Sequence, residues 1–101
     1  MIAEVRTTSG PVPEGGKVPE KDRRLVEQGA DTARNADGSE AVILLADPST
    51  GEGLGIHLWR DQAARDAWES RPERLSMVNE VDQRGGTVSG PRIYEEVIAR
   101  L

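Results

Sequence analysis

The run Ala41–Trp59, AVILLADPSTGEGLGIHLW, decides the fold. Its first six residues, Ala41–Ala46 (AVILLA), are the most apolar stretch of the chain, β-branched at Val42 and Ile43 and bounded by turn residues. So short a run is expected to be a strand buried on both faces rather than a helix. Asp47–Gly53 (DPSTGEG) carries the residues of a hairpin loop. Leu54–Trp59 (LGIHLW) then returns as the second strand. Side chains alternate along a strand, so Leu54, Ile56 and Leu58 fall on one face and Gly55, His57 and Trp59 on the other.

Upstream, Asn35–Gly38 (NADG) is a turn signal. It closes an expected helix over Pro19–Asn35, with Glu20 and Asp22 at the positive end of the dipole and a narrow stripe of Leu25, Val26, Gly29, Ala30 and Ala33. Ser9–Pro19 (SGPVPEGGKVP) holds three prolines and three glycines and reads as a loop. Met1–Thr8 (MIAEVRTT) alternates as a first strand. Downstream, Asp61 is placed to cap a helix over Gln62–Glu69, packing through Ala63, Ala64, Ala67 and Trp68. Ser70-Arg71-Pro72-Glu73 matches a capping box, so a second helical piece is expected from Ser70 to Arg84 with Leu75, Met77, Val78 and Val81 inward. Gly85-Gly86 stops it. Thr87–Leu101 is expected as the last strand, broken or bulged near Gly90-Pro91, with Ile93, Val97 and Leu101 on one side.

The order β-α-β-β-α-β is the ferredoxin-like α+β arrangement, an antiparallel sheet with both helices on one face, in a single domain spanning 1–101. At 101 residues the chain is expected to bury about 65 % of its unfolded surface, leaving about 5,600 Å² exposed. Two helices cover one sheet face only. If the hairpin strands are buried on both, a second copy of the sheet must cover the other face, which implies a homodimer.

Thirteen basic against eighteen acidic residues give a net charge of −5. A nucleic-acid partner needs a basic face, and an anionic membrane surface does too, so neither is expected. The sequence has no cysteine, which removes thiolate nucleophiles, disulfides and Cys-based metal sites, and suits a reducing cytoplasm. One histidine, His57, excludes multi-histidine metal centres, and no metal site is expected.

Asp47–Glu69 (DPSTGEGLGIHLWRDQAARDAWE) resembles the antibiotic biosynthesis monooxygenase (ABM) superfamily of dimeric α+β barrels. In that family a hairpin with a D-x-x-T-G turn leads into a strand ending L-W, then an acidic helix start and an alanine-rich helix. The matching residues are Asp47, Thr50, Gly51, Leu58, Trp59, Asp61, Ala63, Ala64 and Ala67. The resemblance implies a dimeric barrel and admits a cofactor-independent monooxygenase acting on an electron-rich aromatic small molecule, with no cofactor. It equally admits a non-catalytic small-ligand-binding or structural dimer. Haem-degrading members combine a strand-one asparagine, a helix tryptophan and a later ligand histidine. Trp59 and Trp68 match their tryptophan spacing, but Ile2–Thr8 holds no asparagine and no histidine lies near Val78, which speaks against that chemistry.

Four side chains are candidates for a site. Trp68 is expected either to wall a pocket for a flat aromatic ligand or to fill the core of a chain without phenylalanine. Trp59, where strand passes to helix, has the same two readings, with the structural one favoured. His57 shares its strand face and is a candidate base; its competing role is a packed histidine. Tyr94 is a candidate hydrogen-bond donor to a ligand, against a role in sheet packing or a dimer interface. The arginines at 65, 71 and 74 lie among acids and are expected on solvated faces. Gly51-Glu52-Gly53-Leu54-Gly55 leads into a strand rather than a helix, so it reads as a hairpin and not a phosphate loop.

Overall fold

Alternation in the first residues produces strand β1, Ile2–Ser9, which pairs along both edges. The computed structural model describes residues 1–83 and 85–100, and the side chains of all of these except 77, 78, 80 and 81. A loop with one 3-10 turn at Glu14–Gly16 leads to helix α1, Glu20–Arg34. Glu20 and Asp22 in its first turn and Arg34 in its last complement the dipole, which matters because Pro19 offers no side-chain cap. Strands β2, Ser39–Asp47, and β3, Glu52–Trp59, form the hairpin. Helix α2, Gln62–Glu69, starts at Asp61, whose Oδ1 accepts the Ala64 N–H at 2.9 Å. That bond holds the Asp61 carboxyl below the usual range. Helix α3, Pro72–Gln83, and strand β4, Thr87–Tyr94, complete the chain.

The sheet order is β2-β3-β1-β4, antiparallel throughout, with the helices on one face. The ferredoxin-like order is therefore the one observed. Register fixes which side chains meet the helices. Ile2 pairs with Trp59, Glu4 with His57, Arg6 with Gly55 and Thr8 with Gly53, all on the inner face. The core is a small cluster of Ala33, Trp59, Ala64 and Trp68, with Ile2, Ala36 and Val42 packed against it. Small residues on α1 and α2 let both helices approach the Trp59 ring, which is wholly buried. A buried indole removes roughly 150–250 Å² from water, a large share of so small a core.

Several expectations change. Strand β2 is the sheet edge, and in the single chain it is open on both faces toward its end: Leu44 and Leu45 are 47 % and 53 % exposed. Ser70 closes α2 instead of opening α3, its hydroxyl donating back to the Ala67 carbonyl at 3.4 Å, so the capping box is not made. Leu75 is half exposed rather than inward. The side chains of Met77, Val78 and Val81, and residues Arg84 and Leu101, fall outside what the structure describes. Strand β4 ends at Tyr94, so Val97 is not part of it, and its pairing with β1 shifts register between Val5 and Thr7. Total accessible surface is 6981 Å², about a quarter above the ~5,600 Å² expected for a monomer of this mass. No helix of the described residues is long and apolar enough to cross a membrane.

Candidate active site

Strand alternation gathers His57 and Trp59 on the inner face of β3, and α2 lowers Trp68 onto them. The His57 ring stacks on Trp59 with centroids 3.8 Å apart and meets Trp68 edge-on at 6.5 Å; the two indoles are 6.3 Å apart. Three of the four candidates thus form one cluster. Tyr94 does not join it. Its register partner is Ala3, on the outer face, and it is 44 % exposed with the Arg92 guanidinium 5.2 Å from its ring centre.

Polar residues complete the cluster. The buried Ser39, at the start of β2, is hydrogen-bonded through Oγ to His57 Nε2 at 2.8 Å. Glu4, His57's cross-strand partner, is 1 % exposed. Its two carboxylate oxygens are taken by Arg6 Nη1, at 2.6 Å, and by Arg65 Nε. Arg6 Nη2 also donates to Glu69 at 3.3 Å, and Arg65 and Arg74 reach Glu69 at 3.4 and 3.2 Å. A carboxylate buried alone costs several kcal/mol, and this five-membered network is what allows Glu4 inside. Arg65 and Arg74, expected on solvated faces, are largely covered for that reason, whereas Arg71 pairs with Glu73 at the surface.

Electrostatics fix the state of His57. Burial first, then the positive fields of Arg6 and Arg34, lower its pKa from 6.5 to about 4. The ring is neutral at pH 7 and a weak base there. Ser39, His57 and Glu4 superficially resemble a nucleophilic triad, but the parts are committed elsewhere. Glu4 serves two arginines, Ser39 is buried, and the Ser39 N–H is bonded to the Ala36 carbonyl at 3.0 Å, leaving it no oxyanion to bind. Trp59 Nε1 is buried without a partner among the described residues, so the indole is held by packing alone.

Beyond His57 the inner face loses its side chains. Gly55 and Gly53 follow on β3, flanked by Arg6 and Thr8 on β1 and by the half-exposed Leu44 on β2. A Cβ on Gly53 would come within 2.6 Å of Thr8 Oγ1, whereas one on Gly55 would meet only Leu44 at 3.5 Å. β3 thus presents no side chain at Gly55, while the Thr8 hydroxyl and the Leu45 carbonyl fill the space beside Gly53. A hollow of about 290 Å³ lies farther along the sheet from His57, on Thr7, Thr8, Ser9, Glu52, Gly53, Thr87 and Ser89; it shares Thr8 and Gly53 with this stretch and holds none of the candidate residues. Among the described residues no three His, Cys, Asp or Glu side chains group to hold a metal ion.

Sequence reasoning missed Ser39, Glu4, Arg6, Arg65 and Arg74. A signal for two of them was present: strict alternation from Ile2 puts Glu4 and Arg6 on its face. Ser39 carried none, because its approach to His57 depends on the register shift between Ser39 and Ala41.

No protein-family model matches the chain, and no curated protein matches it by sequence. Solved structures do. A candidate antibiotic biosynthesis monooxygenase from Deinococcus radiodurans superimposes with a TM-score of 0.74 at 20 % identity, covering 100 % of this chain and 97 % of that one. SnoaB, a cofactor-independent oxygenase from Streptomyces nogalater, gives 0.75 at 13 % identity, covering 97 % and 94 %. Rv0793 from Mycobacterium tuberculosis gives 0.66 at 18 % identity, covering 98 % of each chain. At such identities it is the fold that is shared, over essentially the whole chain, and that fold is the one carried by structures named as antibiotic biosynthesis monooxygenases.

Proposed function

We propose that this chain is a cofactor-independent monooxygenase acting on an electron-rich, hydroxylated aromatic. The observation that carries the reading is the neutral His57, set in a cage of two tryptophans on an inner face where the next β3 position, Gly55, carries no side chain. The shared fold with a protein described as a cofactor-independent oxygenase supports it. A flat substrate lies over Gly55 with its oxygen toward Arg6 and His57. Ionised, it passes an electron to O₂, and a carbon–oxygen bond forms at the activated ring carbon. The resulting hydroperoxide loses water to leave a carbonyl. One oxygen atom enters the product, the other leaves as water, and the substrate gives up two hydrogens. The protein's part is orientation, exclusion of water and a positive field for the substrate oxyanion.

The same reading makes it a cytoplasmic homodimer joined through the outer sheet face, where Ile43, Leu45, Leu54 and Ile56 lie and the surface excess is large enough for a standard interface. A second reading, a non-catalytic dimer, is favoured by one observation: Trp68 is only 6 % exposed and serves as core.

Tryptophan fluorescence titrated with a hydroxylated anthrone, on the native protein and Trp68→Phe, tests the two, with O₂ uptake measured alongside. Saturable quenching in the native protein, altered in the variant and accompanied by O₂ uptake, supports the oxygenase. Quenching without uptake supports the binding protein. No saturable response overturns the oxygenase in favour of a filled core.

A further inference from the structure

The Ser39–His57 hydrogen bond assigns a proton. A hydroxyl carries one proton and accepts through its lone pairs, and a neutral imidazole carries one proton on one of two nitrogens. If Nε2–H donated to Ser39 Oγ, the serine proton would need a second acceptor. Among the described residues Oγ has none besides the ring, and a buried hydroxyl proton left unpaired is costly. With the serine donating to Nε2, the hydroxyl is satisfied and the ring proton sits on Nδ1.

The chain holds Ser39 firmly for this. Its N–H is bonded to the Ala36 carbonyl at 3.0 Å, and its own carbonyl accepts Arg34 Nη1 at 2.7 Å. The charged groups around the ring do not compete for its proton. Glu4 on β1 is held by Arg6 and Arg65, and Glu69 on α2 by Arg6, Arg65 and Arg74. Burial, and after it Arg6 from β1 and Arg34 from α1, opposes a second proton on the ring. Nδ1 makes no hydrogen bond among the described residues, but it is not among their fully buried unpaired atoms, so a proton there can be met by solvent or a ligand.

We propose that Ser39 is a positioning residue that holds His57 as the Nδ1–H tautomer, so that the ring offers a ligand a hydrogen-bond donor rather than a base. The ligand this fits is an aromatic bearing an oxygen acceptor: a phenolate, an enolate or a quinone carbonyl. That half rests on the function proposed above; the tautomer itself does not. A neutral imidazole donor stabilises charge on such an oxygen without being consumed in proton transfer.

His57 is the one histidine in the chain, so histidine labelled with ¹⁵N reports two ring nitrogens without overlap. In the ligand-free protein at pH 7, Nδ1 is expected to be protonated and Nε2 to be pyridine-like. Ser39→Ala is expected to raise the Nε2–H population by about three- to tenfold, and Ser39→Thr, which keeps the hydroxyl, to restore the native pattern in an equally folded protein. A native ring protonated at Nε2, or a pattern unchanged in Ser39→Ala, overturns the assignment. Adding 2-naphthol at a pH where part of it is ionised is expected to shift the Nδ1–H resonance downfield; an unmoved ring overturns the ligand half. The two proposals fail separately. The expected tautomer without O₂ uptake retires the oxygenase and keeps Ser39, and uptake with an Nε2–H ring does the reverse.

Discussion

Glu4 and His57 face each other directly across β1 and β3, both almost wholly buried, yet the carboxylate serves two arginines and leaves the imidazole to a serine. This division sets the chemistry of the inner face. A carboxylate bonded to the ring would raise its basicity, as in hydrolytic triads. Here Arg6 and Arg65 occupy both oxygens of Glu4, and burial, followed by the fields of Arg6 and Arg34, keeps a second proton off His57. The ring stays uncharged, and negative charge is welcome beside it.

Removing the carboxylate should expose the cost of that arrangement. Glu4→Gln leaves the largely covered Arg6 and Arg65 with the partly exposed Glu69, at 3.3 and 3.4 Å, as their one shared counter-charge among the described residues. A loss of about 3–5 kcal/mol of stability is expected, read as a lower urea midpoint at unchanged slope. Combining Glu4→Gln with Arg65→Met should cost less than the sum of the two single changes, because the orphaned cation is then gone. Additive losses would show that Glu4 and Arg65 are not coupled.

The lowered pKa of His57 makes a signed prediction. Unfolded, the ring binds a proton below about pH 6.5; folded, only below about 4. Between these values the unfolded chain holds more protons, so stability falls as the pH drops through that window. The contribution is complete above pH 6.5 and reaches a loss of about 3 kcal/mol near pH 4. Urea melts at pH 7, 5.5 and 4.5 should show this slope in the native protein and a shallower one in His57→Gln. Equal slopes in the two would mean that the folded ring titrates normally.

The hairpin, the helix boundaries within a residue or two and the strand order were all legible, because period-two alternation, turn residues and caps are local signals. Asp61 is an example: its cap needs only the three residues that follow it. The network on Glu4 was hidden because it joins β1 to α2 across 61 residues, and no local pattern marks Arg65 as its partner. Leu75 was misjudged for a related reason. An apolar or aromatic residue at the right period reads as inward, but its burial depends on whether another element arrives to cover it. Strand β2 failed in the same way, its apolar composition concealing its place at the sheet edge.

Two glycines with nearly the same φ should answer differently to alanine. Gly51 has φ +76° and a Cβ there would lie 2.1 Å from the Gly10 carbonyl oxygen, which is backbone and cannot step aside. The Gly10 N–H also donates to the Gly51 carbonyl at 2.9 Å, so the clash falls on the link between the β2–β3 turn and the end of β1. Gly15 has φ +72° with nothing within 4 Å. Gly15→Ala is expected to cost about 1–2 kcal/mol, the left-handed conformation alone. Gly51→Ala should cost clearly more, because strain and collision add. Equal thermal shifts in the two variants would show that the turn relaxes away from Gly10.

The outer sheet face supplies the last test. Register places Ala41, Ile43 and Leu45 of β2 beside Leu58, Ile56 and Leu54 of β3, one apolar row against another. In the single chain Leu58 is buried, whereas Leu45 is 53 % exposed, so the row is covered at one end and open at the other. Pairing with a second sheet removes the open end from water at about 25 cal/mol per Å² of apolar surface. Leu45→Glu puts a charge there that a lone chain tolerates, since the position is already half solvated, and that a paired sheet cannot bury unpaired. Sedimentation velocity is expected to give a dimer for the native protein and a folded monomer for Leu45→Glu. A native protein that sediments as a monomer at micromolar concentration would overturn the dimer, and a variant that still dimerises would move the interface away from this face.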